Sequence, residues 1–479
     1  MNQPTSLAYL FYAVACALAT IGCRTEPAQQ VTVVACAKDG TCPAGRCCAA
    51  GLCQSCSDAS SGASSDAASS TEAGANRGQG SDGAATSADA SAETAAVCEA
   101  DPSGGPSPRG DVAAGYVGGK LVVLYGDEGA PIQCQANPKY TSDAHLFDPC
   151  KGWEAPKSAT MPPPRARAAQ AYDRDHDALW LFGGRYRKTN SGPYTNYNDL
   201  WRYGGSDGQM LLVDEGKAGP SARSNSCMGY QRQTQKLWVF GGNSSTSGLQ
   251  FTPLADLWSY DTSSAQWAKP TTTGKAPSAR LFHSCAVSDD GKVLVVYGGG
   301  GVNAFQGPFF GDTFVLDLTT LAWSAIEGQA PMARIKAGMA PAPDSPAIWL
   351  FGGHDDGAVG NRNDLWTFDT AKLAWNQLRK GDLGANANPD VVHKPAHAFC
   401  DFPPDFMLVD KDSPERREAM GLTADAQGNL WMFGGKSDCG VLRDVWRYQP
   451  KADQWINLDD TTIGWSCDRY KKPCNTLCN

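Results

Sequence analysis

The sequence predicts an all-β fold whose main domain is built from six similar units. A block of short motifs recurs six times between residue 106 and about residue 460. Each block contains an apolar run of only four or five residues, the length of a short β-strand. Glycine (52) and tryptophan (14) are both abundant, a combination typical of β-repeat architectures with many tight turns. These observations together indicate a repeated β architecture.

Each unit carries the same landmarks in the same order. It begins with P-x-x-R, passes through an apolar strand ending in paired glycines and a strand of the form D-L-W-x-Y-D, and closes on a tryptophan. The arginines are Arg109, Arg165, Arg223, Arg280, Arg334 and Arg417. The apolar strands are Leu121–Tyr125, Leu179–Phe182, Leu237–Phe240, Val293–Tyr297, Ile348–Phe351 and Leu430–Phe433. The acidic strands begin at Asp143, Asp199, Asp256, Asp312, Asp364 and Asp444, and the closing positions are Trp153, Met210, Trp267, Trp323, Trp375 and Trp455.

These landmarks resemble the Kelch repeat, and the resemblance covers residues 106 to about 460. It implies four-stranded antiparallel blades arranged around a central axis, so we expect a six-bladed Kelch-type β-propeller similar to the central domain of galactose oxidase. The departures lie in the first two units: Asp127 stands where we align the second glycine, His145 and Phe147 alter the acidic strand, and Met210 replaces tryptophan. Paired glycines allow positive φ and a close approach of neighbouring blades, and a tryptophan in each outer strand should pack between blades.

The N-terminus predicts export. Residues 1–22 read as a signal peptide with an apolar core too short for a comfortable membrane span. Thr20-Ile21-Gly22-Cys23 resembles the lipobox of bacterial lipoproteins, which implies acylation of Cys23 and an extracytoplasmic location at the bacterial outer membrane or cell surface. The alternative is a plain secretory signal in which Cys23 is an ordinary cysteine.

Two further regions precede the repeats. Residues 23–56 follow the signal peptide, and six closely spaced cysteines in residues 36–56 predict a small disulfide-rich module there, with a metal cluster as the alternative. Residues 57–97 are almost entirely Ser, Ala, Gly, Asp, Thr and Glu, and predict a flexible linker. The propeller is assigned to residues 98–465 and a cysteine-containing clasp to residues 466–479.

Composition bears on the partner. A net charge of −9 with no run of Lys and Arg argues against nucleic acid. We therefore expect a protein or glycan partner, and the membrane through the N-terminal lipid.

Antiparallel topology predicts where binding occurs. Loops joining the second and third strands, and links between blades, share one face, and nearly all the long segments belong to that face. The candidate ligand-binding residues there are Arg185, Tyr186, Tyr194, Tyr197, Phe251, Phe305, Phe309, Phe310 and Phe402. The alternative is that these aromatic side chains pack the loops against one another. The six P-x-x-R arginines lie on the same face. Some Kelch domains bind acidic peptides with arginines there, but presence in every unit favours a structural contact, such as one to a loop carbonyl.

A metal or catalytic site is a weaker hypothesis. His354, His393 and His397 fall on the same face and could hold a metal together. The resemblance also admits enzymes, namely a galactose-oxidase-like copper oxidase or a sialic acid epimerase, although no catalytic residue can be assigned. We predict no cofactor and retain a carbohydrate-acting enzyme as the alternative to a binding module.

The propeller cysteines predict covalent clasps in an oxidising compartment. The disulfide candidates are Cys134, Cys150, Cys400, Cys439, Cys98, Cys467, Cys474 and Cys478. Cys227 and Cys285 occupy similar positions in adjacent units, where pairing and buried free thiols are both open.

Overall fold

The computed structural model of the 479-residue chain describes residues 46–49, 52–55, 104–128, 139–158, 160–189, 192–248, 250–304, 306–355, 360–381, 413–437 and 440–459. The chain divides into two units, Met1–Ala92 and Glu93–Asn479. In the first unit, β1 (Arg46–Ala49) pairs antiparallel with β2 (Leu52–Ser55). In the ranges described, no helix has the length and apolarity needed to cross a membrane.

The second unit is a six-bladed β-propeller, which confirms the predicted fold class. Blade 1 consists of β3 (Ala113–Val117), β4 (Lys120–Asp127), β5 (Tyr140–Asp148) and β6 (Gly152–Glu154). Blade 2 consists of β7 (Ala169–Asp173), β8 (Ala178–Phe182), β11 (Leu200–Gly204) and β12 (Met210–Asp214). Blade 3 consists of β13 (Cys227–Gln231), β14 (Lys236–Asn243), β15 (Pro253–Asp261) and β16 (Gln266–Ala268). In blade 2, a small hairpin of β9 (Arg185–Tyr186) and β10 (Thr195–Asn196) extends the loop between β8 and β11. In blade 3, a 3-10 turn at Arg232–Thr234 joins β13 and β14.

The other three blades follow the same antiparallel order. Blade 4 consists of β18 (Ser284–Val287), β19 (Val293–Tyr297), β20 (Thr313–Asp317) and β21 (Ala322–Ile326). Blade 5 consists of β23 (Gly338–Pro341), β24 (Ala347–Phe351), β26 (Leu365–Asp369) and β27 (Ala374–Arg379). Blade 6 consists of β28 (Gly421–Ala424), β29 (Leu430–Ser437), β30 (Gly440–Gln449) and β31 (Gln454–Asp459). A fifth strand, β17 (Thr273–Gly274), pairs in parallel with β21 and covers the outer edge of blade 4. In blade 5, β22 (Arg334–Ile335) pairs with β25 (His354–Asp355).

The innermost strand of each blade contacts the innermost strands of both neighbours, and β28 contacts β3 to close the ring. These strands surround a central cavity of about 210 Å³. Small residues such as Ala171, Gly229 and Ala340 line the cavity. Their size allows six inner strands to converge on one axis without filling it.

Outer-strand tryptophans join neighbouring blades, as predicted. Each of five tryptophans packs on an aromatic ring at the end of the preceding blade's second strand, with ring centroids 5.2–5.6 Å apart. In blade 2, Met210 takes this place and shares a buried cluster with Tyr125 of blade 1. Trp153 of blade 1 packs on Phe433 of blade 6 and donates its indole N–H to Asp459 at 2.8 Å. These contacts close the ring between blades 6 and 1.

The glycine pair brings neighbouring backbones into contact, also as predicted. Gly183 has a φ of 66°, and a Cβ there would lie 2.7 Å from the carbonyl oxygen of Arg223 in the next blade. The assignment of Asp127 to the second glycine position was wrong. Tyr125 occupies the first glycine position with a φ of 56°, and Gly126 occupies the second. Asp127 therefore corresponds to Arg185, the residue after the glycine pair in blade 2.

The six P-x-x-R arginines form one structural contact per blade, which confirms the preferred interpretation and extends it. Each guanidinium makes two hydrogen bonds of 2.6–3.0 Å to an aspartate that lies within the third strand in blades 1, 3 and 6 and directly before it in blades 2, 4 and 5. In five blades it also donates to the carbonyl of the first glycine at 2.8–3.1 Å. All six arginines are at most 2% exposed. We call this contact the arginine–aspartate clamp.

The same aspartates hold the third-strand tryptophans. Trp201, Trp258, Trp366 and Trp446 donate their indole N–H to the clamp aspartate two residues earlier, at 2.7–2.8 Å. In blade 1, His145 takes the tryptophan position, and its Nε2 lies 3.0 Å from Asp143. The sequence departure at His145 therefore preserves the polar contact of the repeat.

We expect the clamps to differ in strength according to the burial of the aspartate. Arg334→Met should lower the free energy of unfolding by about 3–5 kcal/mol because it leaves a buried carboxylate unpaired, Asp364 being only 3% exposed. Arg280→Met should cost clearly less, since water reaches Asp312, which is 44% exposed. Urea unfolding measures both. Lys372→Met, which removes a surface pair with Asp369, is the control and should change stability by less than about 1 kcal/mol. Equal losses for Arg334→Met and Arg280→Met would contradict this account.

Candidate functional site

The long loops gather on one face of the propeller. This loop face consists of the loops between second and third strands and the links between blades, and it carries the six clamps. The opposite face carries short turns, many closed by an aspartate that accepts hydrogen bonds from backbone N–H groups two or three residues later, as at Asp261 and Asp317. Only the loop face has enough irregular sequence to present a varied surface.

A closed ring of backbone hydrogen bonds surrounds the axis on the loop face. It is formed by the residue two positions after each clamp arginine, and we call it the mouth ring. Its members are Asp111, Arg167, Asn225, Phe282, Lys336 and Ala419. Each donates its backbone N–H to the carbonyl of the preceding blade's member at 2.8–3.3 Å, and Asp111 donates to Ala419. All six have a φ between 52° and 60°. The backbone is therefore uniform while the side chains differ.

Charged side chains fill the blade 5, 6 and 1 side of this mouth in opposite-sign pairs. Lys336 lies 2.8 Å from Glu418, and Lys436 lies 2.8 Å from Asp111 and 2.9 Å from Asp127. Burial would raise the pKa of Asp111, but Arg167 and Lys436 hold it well below its usual range. Burial lowers the pKa of Lys336 despite its pairing with Glu418. This side of the mouth is electrostatically balanced.

The blade 2 side carries an excess of positive charge. Arg185, only 4% exposed, places its guanidinium 3.9 Å from the ring centroid of Tyr194, and Arg187 lies 4.4 Å from the same ring. No carboxylate within the described ranges lies in ion-pair distance of Arg185, and its Nε has no hydrogen-bond partner there. Burial and the neighbouring charge of Arg167 both lower the pKa of Arg185. We call Arg167, Arg185, Arg187 and Tyr194 the cationic corner.

Blade 6 offers an internal comparison. Lys436 follows the paired glycines of blade 6 as Arg185 follows those of blade 2, and each bridges to the residue after its clamp arginine. Lys436 is neutralised by Asp111 and Asp127. Arg185 forms no ion pair among the described residues: Arg167 lowers its pKa, and Asp111, which pairs with Arg167 at 3.2 Å, acts on Arg185 only from beyond ion-pair distance. A buried cation without a carboxylate is unfavourable in the free protein, so the arrangement suits an external anion.

Tyr194 is tuned by this environment. Burial would raise its pKa, but Arg185, Arg167 and a hydrogen bond with Tyr140 outweigh burial and lower the pKa from its ordinary value. The backbone N–H of Tyr194 donates to Thr246 of blade 3 at 2.8 Å. The loop is therefore fixed between two blades, and the phenolic oxygen is held among cations.

Several predicted ligand-binding aromatic residues pack the loops instead. Tyr194, Phe251 and Phe309 are each 8% exposed, so their rings cannot offer an open stacking surface. Phe251 packs on Phe282 with centroids 5.9 Å apart, and Phe310 lies under Arg280 at 4.7 Å. Burial of these rings follows from contacts between loops of neighbouring blades.

The remaining blade 2 candidates are partly buried. Tyr197 lies under Arg165 at 4.2 Å and donates its hydroxyl to Pro164 at 3.3 Å, and Tyr186 packs edge-on against Tyr140 at 5.8 Å. Phe305 and Phe402 lie outside the described residues.

Of the three histidines predicted to hold a metal, the structure describes only His354. His354 hydrogen-bonds through Nδ1 to Asn361 at 3.0 Å, while His393 and His397 lie outside the described residues. Within the described ranges, His, Cys, Asp and Glu side chains form no group of three that could hold a metal ion. His283 is buried, and burial together with Arg280 lowers its pKa to about 3.

Three of the propeller cysteines lie among the described residues, and all three are disulfide-bonded. Cys227 and Cys285 form a disulfide between the inner strands of blades 3 and 4, which decides between the two open alternatives. Cys150 is also disulfide-bonded. The other candidates lie outside the described residues: Cys134, Cys98, Cys400, Cys439, Cys467, Cys474, Cys478 and the lipid candidate Cys23.

Sequence reasoning found Arg185 and Tyr194 but missed the mouth ring, Arg167 and Lys336. A signal was present. The position two residues after each repeat arginine changes from Asp to Arg, Asn, Phe, Lys and Ala inside an otherwise regular motif. Variation at a fixed position of a regular repeat indicates a backbone that is required and a side chain that is free to serve another role.

The lowered pKa of Tyr194 predicts a pH-dependent stability. The folded protein releases the Tyr194 proton at a lower pH than the unfolded chain, so this group contributes more stability as pH rises from about 8 to 10. The advantage of wild type over Tyr194→Phe in free energy of unfolding should therefore grow across that window. Tyr297→Phe is the control: burial raises the pKa of Tyr297, so its difference should stay flat there and shrink above about pH 10. A flat difference for Tyr194→Phe would contradict the prediction.

Comparison with known proteins supports the fold. Residues 113–340 match the family model described as the KLHDC2/KLHL20/DRC7 Kelch-repeats domain. Kelch domain-containing protein 3 of Homo sapiens is 25% identical over 245 residues, covering 50% of this chain and 55% of the relative. Kelch domain-containing protein 10 of Rattus norvegicus is 24% identical over 313 residues, covering 62% and 66%. Host cell factor 1 of Rattus norvegicus is 26% identical over 310 residues, covering 56% and 14%.

The chain spans about half the length of the curated relatives matched first, 54% for Kelch domain-containing protein 3 of Rattus norvegicus. The similarity therefore concerns the repeats. The motif series, the six four-stranded blades and the matched family model agree on one conclusion: this chain contains a Kelch-repeat domain folded as a six-bladed β-propeller.

Proposed function

We propose that the chain is a protein-interaction module whose loop face docks a partner protein through the cationic corner. The observation that carries this proposal is Arg185, a buried guanidinium whose pKa is lowered by Arg167 and which forms no ion pair among the described residues. A partner carboxylate could reach the partly exposed Arg187, accept two parallel hydrogen bonds from its guanidinium and bring negative charge close to Arg185. Charge pairing of this kind gives specificity and raises the rate of association.

A protein partner fits the loop face better than a glycan does. Sugar rings stack on open aromatic faces, but Tyr194, Phe251 and Phe309 are buried. The loop face instead exposes apolar side chains, Val302 at 62% and Met332 at 50%. An anion-binding corner together with exposed apolar residues is the composition of a protein interface.

We further propose that this module works outside the cytoplasm, tethered to a membrane by an acylated Cys23. The Cys227–Cys285 disulfide and the bonded Cys150 support an oxidising compartment. The composition of residues 57–97 supports a tether long enough to hold the propeller away from the membrane surface.

The tether predicts a specific mass and location. Intact-mass spectrometry of the mature protein should find Cys23 as the N-terminal residue, carrying acyl chains, and the protein should sediment with membranes. Cys23→Ala should release it into the soluble exported fraction because one residue carries the lipid. An unmodified Cys23 in a processed, membrane-free protein would remove the lipid anchor and leave the docking proposal intact.

The docking face can be tested by crosslinking and charge reversal. A photo-reactive amino acid at Lys188, an exposed position next to the cationic corner, should capture the partner, and the same group at Lys292 on the turn face should not. Arg187→Glu should then weaken binding of the captured partner by about tenfold or more and reduce its salt dependence. Lys292→Glu reverses an exposed charge on the opposite face and should leave affinity unchanged. Comparable capture from both faces, or comparable loss with both reversals, would refute the assignment.

A further inference from the structure

Met332 brings an exposed sulfur next to a buried cation on the loop face. It lies in the link between β21 and β22 and is 50% exposed. Its Sδ accepts a hydrogen bond from Nη2 of Arg362 at 2.7 Å. Among the methionines in the described ranges, Met332 alone is exposed, and Met210, Met228, Met420 and Met432 are at most 6% exposed.

Both partners in this contact are held from other directions. The backbone carbonyl of Met332 accepts hydrogen bonds from the Tyr297 hydroxyl at 2.6 Å and from Nε of Arg334 at 2.9 Å. Arg362 is 4% exposed, and both its Nε and its Nη2 lie 2.6 Å from Oδ2 of Asp355. The sulfur and the guanidinium therefore meet because the surrounding blades place them together.

Nη2 of Arg362 carries two N–H groups: one is matched by the Asp355 carboxylate 2.6 Å away, and the other has, among the described residues, only the sulfur as its acceptor. A thioether sulfur is a poor hydrogen-bond acceptor, whereas a buried guanidinium gains most from a charge-assisted bond to oxygen. A sulfoxide oxygen on the same sulfur would supply that acceptor at the same place. We propose that Met332 is a site of reversible methionine oxidation, built so that Arg362 binds the sulfoxide oxygen.

The reaction is a two-electron oxygen transfer from a peroxide such as hydrogen peroxide. A sulfur lone pair of Met332 attacks one peroxide oxygen, the O–O bond breaks and the S–O bond forms. The departing hydroxide takes the proton left on the transferred oxygen and leaves as water. The sulfur is oxidised to the sulfoxide and the peroxide is reduced. Arg362 stabilises negative charge on the departing oxygen and then donates to the sulfoxide. Methionine sulfoxide reductases reverse the change.

Oxidation at this point changes the character of the loop face. An apolar, flexible side chain becomes polar on the same blade 4 side of the face that exposes Val302. Oxidation of Met332 should weaken the docking of a protein on the loop face, and reduction should restore it. This consequence rests on the proposed function.

The site itself is tested without a partner. Under limiting hydrogen peroxide, peptide mapping by mass spectrometry should find Met332 oxidised at least about fivefold faster than the half-buried Met161 and Met339. The singly oxidised protein should keep its melting temperature or gain about 1 °C, because a hydrogen bond to the sulfoxide oxygen replaces the weaker one to the sulfur. A slower Met332, or a clear fall in melting temperature on its oxidation, would overturn the proposal.

Two substitutions separate acceptor chemistry from simple exposure. Met332→Gln places a carbonyl oxygen near Arg362, and Met332→Leu keeps a side chain of similar size without an acceptor. The melting temperature of the Met332→Gln protein should be about 1 °C or more above that of the Met332→Leu protein, although Gln is the more polar residue. In an Arg362→Lys background that difference should disappear. Equal melting temperatures of the Gln and Leu variants in the wild-type background would overturn the proposal. Failure of partner binding to respond to oxidation, with these results intact, would count against the docking function alone.

Discussion

The arginine–aspartate clamp is the interaction on which the propeller depends. A guanidinium at most 2% exposed is tolerated only when its donors are satisfied, so each blade must bring a second-strand carbonyl and a third-strand carboxylate to one point. That requirement fixes the register of the first three strands where they reach the loop face. The backbone carbonyl of the same arginine accepts the N–H of the preceding blade's second glycine, from Gly184 to Arg223 and finally from Gly435 to Arg109. One residue per repeat thus orders its own blade and joins it to its neighbour.

The mouth ring shows how a repeat can keep its fold while varying its surface. Each member uses backbone N–H and C=O groups to reach the adjacent blades and a positive φ to turn into the inner strand, and none of this requires a particular side chain. Ala419 and Arg167 therefore occupy equivalent positions with very different chemistry. Side chains at the mouth can be charged, aromatic or absent without loss of the ring. This separation of backbone from side chain explains why the mouth can carry a cationic corner in a chain whose net charge is −9.

The sequence was sufficient for the parts of the molecule that repeat. Six arginines, six acidic strands and the glycine pairs predicted the blades, their order and the face that carries the loops, because each feature has the same cause in every unit. It was insufficient where one loop meets another. Tyr194 reads as an exposed loop residue, but its backbone bonds to Thr246 and its ring lies between Arg185 and Arg187, contacts between segments whose spacing no repeat pattern records. Tyr125 was misaligned for a related reason: a bulky residue at positive φ is rarely expected, and the blade accepts it because its carbonyl still receives the clamp arginine.

Equivalent positions in different blades provide the strongest argument about function. Asp127, Arg185 and Lys436 occupy the same place after the glycines. Asp127 and Lys436 form an ion pair with each other, which offsets the cost of burying both charges. A carboxylate at the mouth-ring position of blade 2 would neutralise Arg185 in the same way as Asp111 neutralises Lys436. Arg167 lies there instead and pairs with Asp111 at 3.2 Å, while Arg185 lies near Tyr140 and Tyr194 with no carboxylate in ion-pair distance among the described residues. Because stability alone would favour the paired solution seen at blade 6, the unpaired cation at blade 2 is best explained by an anion that arrives from outside the chain.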